Sequence, residues 1–113
     1  MTNSKKPFAD ANVIRGTREA IRQQPELGNL TFNMKSKSNG GVSVRVETHA
    51  TIQNGQVDTS RAGKFANVGD EPADLSGTDS GMGPAEYILQ ALAGCYTATL
   101  TVMAAEKGIE LDG

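Results

Sequence analysis

One thiol, one imidazole and a scatter of carboxylates are the side chains in this sequence that could carry chemistry. The thiol, Cys95, lies in "ALAGCYTATL" (91–100), a run of small and apolar residues. A cysteine in such a setting packs by default as a small hydrophobe and becomes a nucleophile only where its thiolate is stabilised. At the ordinary pKa of about 8.5, roughly 3% of a thiol is ionised at pH 7. Lowering the pKa to about 6 would ionise roughly 90%, a thirtyfold gain equivalent to about 2 kcal/mol. Apolar surroundings push the other way, and a helix dipole fades beyond the first turn. A reactive Cys95 therefore requires a cation beside it.

His49 falls on the polar side of a strand-like run, where simple exposure is the ordinary outcome. One His and one Cys make neither a zinc site nor a Cys–His–Asn hydrolase, and no cofactor or metal is expected. The carboxylates of "DEPADLSGTDSGMG" (70–83) are Asp70, Glu71, Asp74 and Asp79. They do not follow calcium-loop spacing and read as solvated; the glycines around them follow no phosphate-binding pattern and read as turn glycines.

The elements that must position these groups follow from pattern. A loose N-terminus (1–11) precedes a helix over 12–24, with Val13, Ile14, Thr17, Ala20 and Ile21 on one face and Pro25 as its stop. Arg15, Arg18 and Arg22 share another face, the usual mark of a solvated surface. "NGG" (39–41) and "NG" (54–55) separate three strand-like runs, which predicts a three-stranded meander over 28–69. Its middle strand puts Val42, Val44, Val46, Thr48, Ala50 and Ile52 on one side, and Ser43, Arg45, Glu47, His49 and Thr51 on the other. After the loop 70–83, Pro84 opens a helix over 84–107 that Gly108 ends. This helix is apolar around most of its circumference, which predicts burial on several sides, and Cys95 falls in its third or fourth turn. "IEL" (109–111) reads as the start of a further strand, so the chain is expected to be a fragment or to be completed by another polypeptide.

Composition bounds the rest. The 113 residues suffice for a single domain, and with no Trp and 4% aromatic residues its core must be thin, which favours completion by a partner subunit. A net charge of −2 gives no electrostatic case for nucleic acid or an anionic membrane. No stretch reads as the roughly 20 apolar residues of a membrane span, "MTNSKKPFAD" lacks the apolar run of a signal peptide, and a single cysteine suits a reducing, cytoplasmic setting.

The loop and long helix together resemble the family of osmotically inducible protein C and the organic hydroperoxide resistance proteins. The resemblance is carried by "DEP" (70–72), "GTDSG" (77–81), P-x-E at 84–86, "ALAGC" (91–95) and "AAEKGIEL" (104–111), and more loosely by "FNMKSKSNGGVSVRV" (32–46). It covers roughly the first two thirds of a family member. It implies an α+β fold, an antiparallel meander packed on a long central helix, in an intertwined homodimer with active sites at the subunit interface. It implies a thiol-dependent peroxidase of organic hydroperoxides, acting in oxidative stress defence and restored by an external thiol or dithiol reductant. Cys95 matches the peroxidatic position, while the family's resolving cysteine has no counterpart in this chain. The family's thiolate is held by a Glu and an Arg. Glu86 is the candidate acid, although nine residues on a helix place it opposite Cys95, and capping of the helix start is the rival role. Arg45 is the candidate cation, with Arg61 the alternative. Some family branches lack parts of this set. A non-peroxidase that binds a small apolar ligand at the dimer interface, with Cys95 as packing, is the second reading, and a structural dimerisation module the third.

Overall fold

The structure, a computed structural model, describes residues 9–111, so the expected loose N-terminus falls mostly outside the described residues. It is an α+β chain with two antiparallel sheets and a long C-terminal helix. Its elements are α1 (Ala11–Gln23), β1 (Leu30–Thr31), β2 (Met34–Ser38), β3 (Val44–Thr48), β4 (Thr51–Gln53), β5 (Gln56–Asp58), β6 (Ala66–Gly69) and α2 (Pro84–Glu106). Contacts group them into two compact units, Glu26–Leu89 and Met1–Pro25 with Gln90–Gly113.

The first unit holds the β structure. Where a three-stranded meander is expected, each of its three strands is cut in two. The halves on each side of the break pair separately, in the orders β1-β4-β5 and β2-β3-β6. The neighbour order of the meander survives, but the ribbon bends through a corner. The residue that makes the corner is Asn33. Its carbonyl accepts the His49 N–H at 2.9 Å, and its side-chain amide donates to the Ala50 carbonyl at 2.8 Å. Thr48 Oγ1 donates to the Arg61 carbonyl at 2.6 Å, tying the third strand's break to the same place. His49 and Ala50 therefore belong to no strand, which corrects the expected run of alternation from Val42 to Ile52. Beyond the corner it is Thr51, not Ile52, that is buried. Strands that change sheets through such bends are the usual corners of packed β structure. The turn at Asn54–Gly55 has positive φ at both residues (51° and 74°), the geometry that a two-residue hairpin requires.

The second unit comprises α1 and the later turns of α2. The Asp10 carboxylate accepts the N–H groups of Asn12 and Val13, so α1 starts one residue earlier than its apolar pattern suggests. Arg18, read from sequence as part of a solvated face, makes an ion pair with Glu106 near the end of α2. That end is a Schellman motif: Gly108 N–H donates to Ala105 O at 3.2 Å and Ile109 N–H to Ala104 O at 2.8 Å. Ile109 thus closes the helix, and residues 109–111, expected to start a strand, belong to no strand among the described residues.

The expected burial of α2 on several sides is not met within the chain. Among the described residues the hydrophobic side chains that are fully buried are Ala104 and Ala105, each 6% exposed. Ile88, Leu89, Leu92, Tyr96, Leu100 and Met103 all stand exposed, Tyr96 at 72%. By length and composition α2 is also long and apolar enough to cross a membrane, with a mean hydropathy of 1.5 over 18 residues. This corrects the sequence reading, in which Gly94 and the threonines at 97, 99 and 101 disguise the apolar run.

Candidate thiol site on the central helix

The loop 70–83 delivers the chain from β6 to α2, and it is built around one carboxylate. Asp70, only 2% exposed, accepts five hydrogen bonds. Its Oδ2 takes the hydroxyls of Ser80 (2.6 Å) and Thr78 (2.7 Å) and both of their N–H groups, while Oδ1 takes the Glu71 N–H at 2.8 Å. These bonds, Ser80 and Thr78 foremost, hold the Asp70 carboxyl well below the usual carboxylate range, against the opposing effect of burial. The reading of Asp70 as solvated is thus wrong. The signal was present in the hydroxyls eight and ten residues downstream, within a loop too long for sequence spacing alone to connect them.

The glycines of "GTDSG" have a different role from the one expected. Neither Gly77 nor Gly81 has positive φ. A Cβ on Gly77 would lie 1.7 Å from the Glu71 carbonyl oxygen, and one on Gly81 would lie 2.1 Å from the Val68 carbonyl oxygen. They are there because backbone passes against backbone. Asp70 N–H also donates to Met82 O at 3.1 Å, which seats the end of the loop beside β6.

The helix start is fixed twice. Glu86 Oε1 accepts the Gly83 N–H at 2.9 Å, the reach-back half of a capping box. Of the two roles read for Glu86, the geometry displays capping. Tyr87 Oη donates to the Val68 carbonyl at 3.1 Å, binding the first turn of α2 to β6. Sequence reading gave Tyr87 no role. Its ring joins an apolar groove of about 690 Å³ over one face of β2-β3-β6, with Met34, Val44, Val46, Leu75 and Ile88.

Arg45 does not face that groove. It alternates with Val44 and Val46 and so projects from the opposite side of β3, 53% exposed, with Nη1 3.4 Å from Glu47 Oε2. The α2 residues that line the groove, Pro84, Tyr87 and Ile88, therefore lie across the sheet from Arg45. Arg61 has its guanidinium over the Phe65 ring at 5.2 Å. His49 is exposed at the corner. Cys95 is an exposed free thiol on α2, in the unit formed with α1. Arg45, Arg61 and Glu86 belong to the other unit.

An α+β chain with two short antiparallel sheets, a glycine-tight loop and a lone thiol midway along an apolar helix is the class defined so far. Residues 77–113, from the "GTDSG" loop through the whole of α2, match the family of OsmC-like proteins. No curated protein matches the chain.

Proposed function

We propose that this chain carries the peroxidatic half of an OsmC-like thiol peroxidase, acting on organic hydroperoxides as a homodimer in the cytoplasm. The observation that carries the reading is Cys95, exposed on α2 within the OsmC-like segment. A peroxidatic sulfur must be reachable by its substrate, and this one is. In the reaction the Cys95 thiolate attacks the distal oxygen of the hydroperoxide and the O–O bond breaks. The alkoxide leaves and takes up a proton as the alcohol, and sulfur, two electrons poorer, becomes the sulfenic acid. A thiol of the external reductant then condenses with the sulfenic acid, losing water to form a mixed disulfide. A second thiol, in trans or from the same dithiol, displaces Cys95 as its thiol and leaves the reductant as a disulfide. The thiolate requires a cation brought to Sγ, and in this reading assembly of the dimer brings it.

Two measurements test the proposal. The rate of Cys95 alkylation by iodoacetamide should titrate with a midpoint well below the free-cysteine value of about 8.5. Excess cumene hydroperoxide should take the isolated chain to sulfinic and sulfonic acid, because no second cysteine in it can trap the sulfenic acid. Intact mass after dithiothreitol would then show irreversible addition of oxygen. A thiol titrating at or above the ordinary value and left unmodified by peroxide overturns the reading. That outcome favours the second reading, an OsmC-like protein that binds a small apolar ligand, for which the groove over β2-β3-β6 is the supporting observation.

A further inference from the structure

The face of β2-β3 that carries Arg45 poses a problem of charge that the thiol chemistry does not use. Lys37 stands directly opposite Arg45 in the antiparallel register, and Lys35 directly opposite Glu47. Like charges facing each other across a strand pair are destabilising. The one carboxylate among the four, Glu47, reaches Arg45 only at 3.4 Å. These four side chains, with Ser36, line a depression of about 310 Å³. The next turn adds to the field. Gly63 lies against Glu47, and its neighbours Arg61 and Lys64 are both held over the Phe65 ring, at 5.2 and 5.6 Å. Residues 34–69 hold five of the chain's 11 Lys and Arg but two of its 13 Asp and Glu, in a chain whose net charge is −2. This segment thus carries a net positive charge within a chain of net negative charge, and three of its cations line the one depression.

We propose that this face is a binding site for a small, multiply charged phosphate compound, held by Lys35, Lys37 and Arg45. A guanidinium fork offers paired donors to phosphate oxygens, and two ammonium groups supply the mobile point charges beside it. A bound phosphate would turn the unfavourable Lys37–Arg45 pairing into a shared contact. The proposal does not rest on Cys95 and stands whether or not the thiol is peroxidatic.

Inorganic pyrophosphate is the probe, titrated into the full chain at constant ionic strength and followed by amide chemical shifts. Saturable shifts are expected at residues 35–38 and 44–47. Lys37→Gln or Arg45→Gln should each weaken binding about tenfold, as loss of a charge-assisted contact does. Arg15→Gln on α1, which removes the same charge elsewhere, should leave it unchanged. In phosphate-free buffer Lys37→Gln should melt no lower than the parent, since it relieves a like-charge pair, and this shows the variant to be folded. Shifts that never saturate overturn the proposal, as does equal weakening by Arg15→Gln. So does tight binding of a single-stranded oligonucleotide that pyrophosphate cannot displace.

Discussion

Asp70 is the side chain on which the approach to α2 depends, and its chemistry makes the dependence measurable. Its folded-state pKa is depressed below the unfolded value of about 3.9. The stability it contributes is therefore fully present above that value and is lost as pH falls through the folded pKa. Acid unfolding of the parent should begin below about pH 4 and track this proton. Asp70→Asn should lower the melting temperature at pH 7 and flatten the acid limb, and amide exchange should accelerate at Thr78 and Ser80. An Asn variant with parental exchange at those two amides would mean that the loop holds itself. Residue types in the sequence singled out Cys95 as the candidate nucleophile and left two roles open for Glu86. They left Asp70 among the solvated carboxylates, because its partners are chosen by the path of the loop and not by local spacing.

Glycines test the elements in which they sit. Gly77→Ala and Gly81→Ala each push a Cβ into a carbonyl oxygen and should destabilise by about 3 kcal/mol or more, with unfolding in denaturant as the measurement. Gly16→Ala, in the interior of α1 with open space around it, should stabilise by about 0.8–1 kcal/mol, the helix propensity difference. Both helices were legible to within a residue at each end, since the apolar pattern, Pro25, Pro84 and Gly108 mark them, although the Asp10 cap was not read. The strands were legible in order and in their turns but not in their continuity. Alternation in Val42–Ile52 persists across the break, and nothing in it marks Asn33, between β1 and β2, as the residue bonded to the break at His49 and Ala50.

For the whole molecule, the question is what covers α2. Six large side chains along it stand in water, and exposure of that extent is characteristic of a surface made for association. The homodimer proposed above predicts that sedimentation at micromolar concentration finds dimers, and that Leu92→Asp yields monomers or unfolded chain. A compact, well-folded monomer of the parent would refute it. Gly94, with nothing within 4 Å of a built Cβ, gives a finer test. If a second backbone packs against this part of α2, Gly94→Ala weakens the dimer; if not, it stabilises the helix as Gly16→Ala does. The sequence foretold an apolar helix in need of cover. It favoured a partner subunit as the source of that cover, although hydropathy by itself carries no information on which molecule supplies the neighbour.

The bent meander has a kinetic consequence. Every strand pairing within the two sheets joins runs that are adjacent in the meander, and the hairpin turns at 39–41 and 54–55 bring them together over short loops. Such topologies keep contact order low, and the closing of short loops takes microseconds or less, on the order of 10–100 ns for ten residues. The β unit can then form before any encounter with a second chain, whereas in the proposed homodimer the cover of α2 must wait for one. Assembly would be the slow, concentration-dependent step, and in the interval the exposed apolar helix, not the sheets, is the aggregation-prone surface of the newly made protein.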